Sequence, residues 1–85
     1  IGLANWVVPH GRLIGEAMEL AEKLAKGPHL AYEVAKEGLR RGMESTLAAE
    51  WEFNMYAQSM LLDSEDFAEA VRAFVEKREA VFQGR

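Results

Sequence analysis

From Leu13 to Arg78 the apolar side chains recur at three- and four-residue steps, while the one β-prone run, Trp6-Val7-Val8, has no second strand to pair with. An unpaired strand leaves its N–H and C=O groups without partners, so that run must pack on helices or complete a sheet elsewhere. The chain is therefore expected to be all-α: a small bundle of about four helices preceded by a short extended segment. Pro9, His10 and Gly11 supply turn chemistry, which divides the chain into an extended segment and turn over 1–11 and a helical part over 12–85.

Four stripes mark the helices. Leu13, Ala17, Leu20, Ala21 and Leu24 share one face, and Gly27-Pro28 ends that helix because glycine suits a left-handed C-terminal position and proline breaks the hydrogen-bond ladder. The second stripe, Ala31, Val34, Ala35, Gly38 and Leu39, is rich in small residues and predicts close helix approach, with Arg40 and Arg41 near its C-terminal end. Ser45 or Thr46 caps the third, which carries Leu47, Trp51, Met55, Gln58 and Leu62 on one face. Phe53, Tyr56 and Met60 lie on its other faces and predict burial on more than one side, by other helices or a partner subunit. Asp63 or Ser64 caps the fourth, with Glu65 and Asp66 in the first turn, Phe67, Ala70, Val71, Phe74 and Val75 as its stripe, and Lys77 and Arg78 at its close.

Composition excludes several functions. At 49% hydrophobic and 28% charged residues the chain has enough apolar side chains for one packed unit. Its net charge of −4 argues against nucleic acid as a partner, since phosphate neutralisation needs a basic surface. With no cysteine, and with His10 and His29 far apart and lacking ligands at helical spacing, no metal site is expected. No apolar run reaches the ~20 residues of a membrane span, and no secretory leader opens the chain, so cytoplasm is expected, with organelle matrix the other compartment.

No nucleophile elbow, phosphate loop, dinucleotide fingerprint or zinc-protease motif occurs. Glu50 with Glu52, and Glu65 with Asp66, are carboxylate pairs on paper, but adjacent helical positions point apart and neither pair sits in an apolar segment. They read as solvated surface, and no catalytic residue is expected here. Phe74, Lys77 and Arg78 combine an aromatic face with cations one turn later, an arrangement that suits a nucleotide-like phosphate; equally, they are a core phenylalanine and dipole-complementing cations.

Three segments then carry a resemblance. Gly2-Leu3-Ala4-Asn5-Trp6-Val7-Val8-Pro9 resembles the G-L-V-N-x-V-V-P strand that leads into the C-terminal helices of the enoyl-CoA hydratase/isomerase (crotonase) superfamily. Gly27-Pro28 with Ala31 and Lys36 resembles the superfamily's G-P-x-x-A-x-x-x-x-K helix start. The run from Ser64 to Arg78, followed by Phe82-Gln83-Gly84, resembles its S-E-D-x-x-E-G-x-x-A-F-x-E-K-R…F-x-G ending.

The resemblance implies the C-terminal helical segment of a hydratase- or isomerase-like parent that acts on acyl-CoA thioesters, with its oxyanion donors and catalytic carboxylates outside this chain. It also implies a homotrimer or homohexamer, no cofactor beyond the coenzyme A of the substrate, and CoA contacts at Phe74 and Lys77. The segment itself would cap the active site and mediate assembly without activity of its own. The alternative is a stand-alone helical protein–protein interaction module.

Overall fold

A computed structural model describes residues 1–85 and shows four α-helices and no strand. Residues 1–9 carry neither helix nor strand, and a single 3-10 turn, His10–Arg12, leads into α1 (Leu13–Ala25). Three further helices follow: α2 (His29–Gly42), α3 (Leu47–Leu62) and α4 (Glu65–Glu76). The all-α reading is thus the observed one, and α3 and α4 start where their caps stand, whereas α1 and α2 have no side-chain cap. Thr46 Oγ1 accepts the Ala49 N–H at 3.2 Å, and Ser64 Oγ accepts the Phe67 N–H at 3.1 Å, each satisfying a donor that a helix N-terminus leaves free.

The α1–α2 turn closes around Gly27, one of four buried residues in the chain. Tyr32 lies across it, so that a Cβ at this position would come within 2.0 Å of the tyrosine hydroxyl. His29 completes the turn, its Nε2–H donating to the Ala25 carbonyl at 2.8 Å; because a carbonyl only accepts, this nitrogen carries the proton. One of the orphan carbonyls at the end of α1 is satisfied in this way.

α2 and α3 form the principal packed pair. At Gly38 a Cβ would lie 3.3 Å from the Phe53 ring, so the missing side chain admits the aromatic one. Arg41 lies over the Phe53 ring at 4.6 Å from its centroid and reaches Glu50 Oε1 at 3.5 Å. Phe53, expected to be buried by other helices or a partner subunit, thus has α2 against it.

The rest of the apolar surface does not close. Ala57, Ala73 and Asp66 are the other three buried residues, while Leu47, Trp51 and Tyr56 remain 86%, 68% and 70% exposed. The Cα radius of gyration is 16.4 Å, against about 12 Å for a compact domain of this length. The molecule is a slab of 44 × 40 × 17 Å, with its helices laid out in an open array instead of around a shared centre. α3 explains why: it is apolar on nearly every side, and α2 covers one side of it.

Candidate functional site

The polar organisation of the chain is concentrated where α4 ends and the tail, residues 77–85, folds back along it. α4 stops at Glu76 because Lys77 turns left-handed, with φ 54° and ψ 43°. The Arg78 N–H bonds the Ala73 carbonyl at 3.0 Å and the Lys77 N–H bonds the Phe74 carbonyl at 3.3 Å, the two bonds of a Schellman ending. Lys77 is the one non-glycine residue with positive φ, a conformation that costs an L-residue about 1–2 kcal/mol. The expected closing cations thus diverge: Lys77 makes the turn, and Arg78 leaves the helix axis.

Arg78 swings back nine residues to Glu69. Its Nη1 and Nη2 donate to the two Glu69 oxygens at 2.5 and 3.0 Å, and the Val81 N–H adds a third bond to Oε1 at 3.0 Å. These bonds, with Arg78 the largest influence and Val81 next, lower the Glu69 carboxyl from its ordinary 4.5 to about 2. Arg78 is held still more firmly in its charged form, chiefly by Glu69 and then by Glu76. Because Glu69 is more acidic folded than unfolded, its contribution is whole above pH 4.5 and disappears as pH falls toward 2. Followed by NMR, the Val81 amide is expected to hold its folded shift down to that window and to move only within it; release near pH 6 would contradict this.

One turn earlier Asp66 holds the far end of the tail. Its two carboxylate oxygens accept the Gln83 N–H at 2.6 Å and the Gly84 N–H at 2.9 Å, and its own N–H donates to the Arg85 carbonyl at 2.8 Å. Gly84 has φ 76°, a region glycine enters freely, which lets two consecutive N–H groups turn toward one carboxylate. Asp66 is 5% exposed, whereas neighbouring Glu65 lies in solvent and pairs with Arg85 at 2.8 Å. The two acidic residues therefore serve different partners and form no dyad. Spacing read from the sequence missed the role of Asp66 and Glu69; the available signal was their three-residue separation, which puts both on the face that the tail crosses.

Phe74 and Lys77 lie at the outer end of this arrangement. Phe74 is 85% exposed, so it is no core residue of this chain. Every arginine takes part in an ion pair, while Lys77, like the other three lysines, takes part in none. An uncovered aromatic ring and an unpaired ammonium about one turn apart form a surface suited to a flat, anionic group. Elsewhere, Glu50 Oε1 is buried without a hydrogen-bond partner and faces Arg41, and Glu52 is exposed. No three His, Asp or Glu side chains converge as metal ligands would.

Comparison with known proteins identifies the fold. The family profile described as Enoyl-CoA hydratase/isomerase matches residues 1–85, the whole chain. The chain belongs to the enoyl-CoA hydratase/isomerase family. A probable enoyl-CoA hydratase of Rhizobium meliloti is 40% identical over 84 residues, which is 99% of this chain and 33% of that protein. A probable mitochondrial enoyl-CoA hydratase 2 of Arabidopsis thaliana is 34% identical over 84 residues, covering 98% and 28%.

The crystal structure of a candidate enoyl-CoA hydratase from Streptomyces coelicolor superposes with a TM-score of 0.94 at 40% identity, covering all of this chain and 31% of the other. The chain therefore spans about a third of the length of its hydratase relatives, as the C-terminal helical subdomain of a crotonase-like fold. In that context an open slab of helices with uncovered apolar faces is intelligible: it is one layer of a larger fold. No helix is long and apolar enough to cross a membrane.

Proposed function

We propose that this segment is the helical cap of an enoyl-CoA hydratase- or isomerase-like enzyme, and that Phe74 and Lys77 contact the adenine and phosphate region of an acyl-CoA substrate. The observation that carries the reading is the pairing of an 85% exposed ring with the unpaired ammonium of Lys77, on a surface held by the Glu69–Arg78 pair. The parental chemistry is hydration or double-bond migration of an acyl-CoA, with the enolate stabilised by N–H donors and the protons moved by carboxylates outside these residues. With those donors and carboxylates outside these residues, the segment alone would be without activity. No cofactor is needed beyond the coenzyme A carried by the substrate.

The uncovered faces of α1 and α3 suit contacts with the α/β core, from which residues 1–11 would arrive, and with neighbouring subunits of a homotrimer or homohexamer. The compartment would be the cytoplasm or an organelle matrix, the latter consistent with the mitochondrial name of the Arabidopsis relative. Nothing in the relatives favours a stand-alone interaction module.

Substituting Lys77→Ala in the complete protein is expected to weaken acyl-CoA binding by about 1–3 kcal/mol, the scale of one charge-assisted contact. Calorimetric titration with coenzyme A and the KM of an enoyl-CoA report it together. An unchanged dissociation constant and KM would remove Lys77 from the site.

A further inference from the structure

A lysine held at positive φ is an anomaly that the helix ending itself does not require. Glycine terminates a helix in this way without steric cost, and the chain uses glycine at its other two positive-φ positions, Gly2 and Gly84. Backbone strain at a single residue persists when the surroundings over-determine it, and here the surroundings are visible. Immediately after Lys77, Arg78 is held by two bonds to Glu69, and three residues later Val81 is held by a third. The chain on the helical side is fixed as well, since Ala73 and Phe74 receive the two Schellman bonds. Lys77 thus lies between two anchored segments with one route from the first to the second.

We propose that Glu69 is a positioning residue, whose grip on Arg78 and the Val81 N–H holds Lys77 in its left-handed turn and so fixes where its ammonium meets the substrate. The inference rests on the acyl-CoA reading of Phe74 and Lys77. It adds a residue that touches no ligand and acts through another. Glu69 suits this task because its carboxylate is largely covered, at 15% side-chain exposure, and accepts in two directions at once. The bidentate fork fixes the guanidinium plane as well as its distance. Its acidity, about 2, keeps the grip charged throughout the neutral range.

The test uses the complete protein with four variants: Lys77→Ala, Glu69→Gln, the double variant, and Lys77→Gly. Glutamine keeps the size of Glu69 and one acceptor for Val81, so the fold survives while the fork to Arg78 is lost. The readouts are the dissociation constant for coenzyme A, turnover of an enoyl thioester of coenzyme A against the same acyl group on pantetheine, and hydrogen exchange of the tail.

Glu69→Gln is expected to weaken coenzyme A binding about tenfold, to speed exchange in residues 78–81, and to leave turnover of the pantetheine thioester unchanged. It should add nothing in the Lys77→Ala background, and Lys77→Gly should melt at higher temperature while binding coenzyme A more weakly. Equal losses on both thioesters, or additive losses in the double variant, would make Glu69 merely structural and overturn the proposal. So would a Glu69→Gln protein that binds normally while Lys77→Ala does not. A Lys77→Ala protein that binds normally would overturn the acyl-CoA reading of this lysine, and the role of Glu69 with it, so the two failures are told apart.

Discussion

At micromolar concentration the isolated 85-residue chain is expected to sediment as oligomers and not as a 9.5 kDa monomer, and to melt with little cooperativity. The reason lies in the balance between what the helices bury and what they leave in water. Four residues are buried, and of these only Ala57 and Ala73 are apolar side chains, too small to hold four helices together. Leu39, Met43 and Leu47 are 77–86% exposed, and Trp51 is 68% exposed. Removing one such side chain from water contributes about 1.5–3 kcal/mol, so a second copy laid against α3 gains more than the monomer's own core supplies.

An interface of standard size, about 800 Å² per partner, fits within the 7614 Å² of accessible surface. Trp51→Glu should shift the sedimentation profile toward monomer by placing a charge in the most aromatic part of that face. A monodisperse monomer with a sharp thermal transition would show that the slab is stable alone, and the reading of α3 as a face awaiting cover would fall.

Much of this fold was legible because its signals are local. The caps at Thr46 and Ser64 act within three residues, and the Gly27-Pro28 stop acts within one turn. Each position could be read from residue type and spacing alone, although Gly27 is not the left-handed residue that its place after α1 suggested: it ends the helix at negative φ, and its missing side chain makes room for Tyr32. The apolar excess of α3 was equally plain, and it foretold uncovered surface, although Phe53 proved to have Gly38 and Arg41 against it.

The tail was not legible. Its contacts run from Arg78–Glu69, nine residues apart, to the Arg85–Glu65 pair at the chain's end, and depend on one backbone angle at Lys77, for which a lysine gives no warning. Lys77 and Arg78 both looked like cations serving a helix dipole, and that description fails for Arg78 because Glu69 offers it a better partner. Asp66 looked like a first-turn acid, which it is; its second task appears only once the tail returns. The aromatic-and-cation pattern of Phe74 and Lys77 could be seen in the sequence, whereas the clamp beside it could not.

That second task gives the other large effect. Asp66→Ala is expected to release the Gln83 and Gly84 N–H groups and to lower the local opening free energy there by about 3 kcal/mol, since each bond to a charged acceptor contributes about 1.5–3 kcal/mol and two are lost. Measured by amide hydrogen exchange, Gln83 and Gly84 should lose their protection. Val81 should keep its own, because Glu69 holds it independently. Asp66→Asn separates charge from geometry. Its amide presents one oxygen and one N–H₂, so one of the two tail N–H groups faces a donor, and most of the loss should remain. Preserved protection at Gln83 and Gly84 in Asp66→Ala would mean that the tail is held by something other than this carboxylate. Release that spread to Val81 would mean that the two acidic residues act as one unit. Separate release would make the first half of α4 a pair of latches, with Asp66 fixing residues 83 and 84 and Glu69 fixing the turn that carries Lys77.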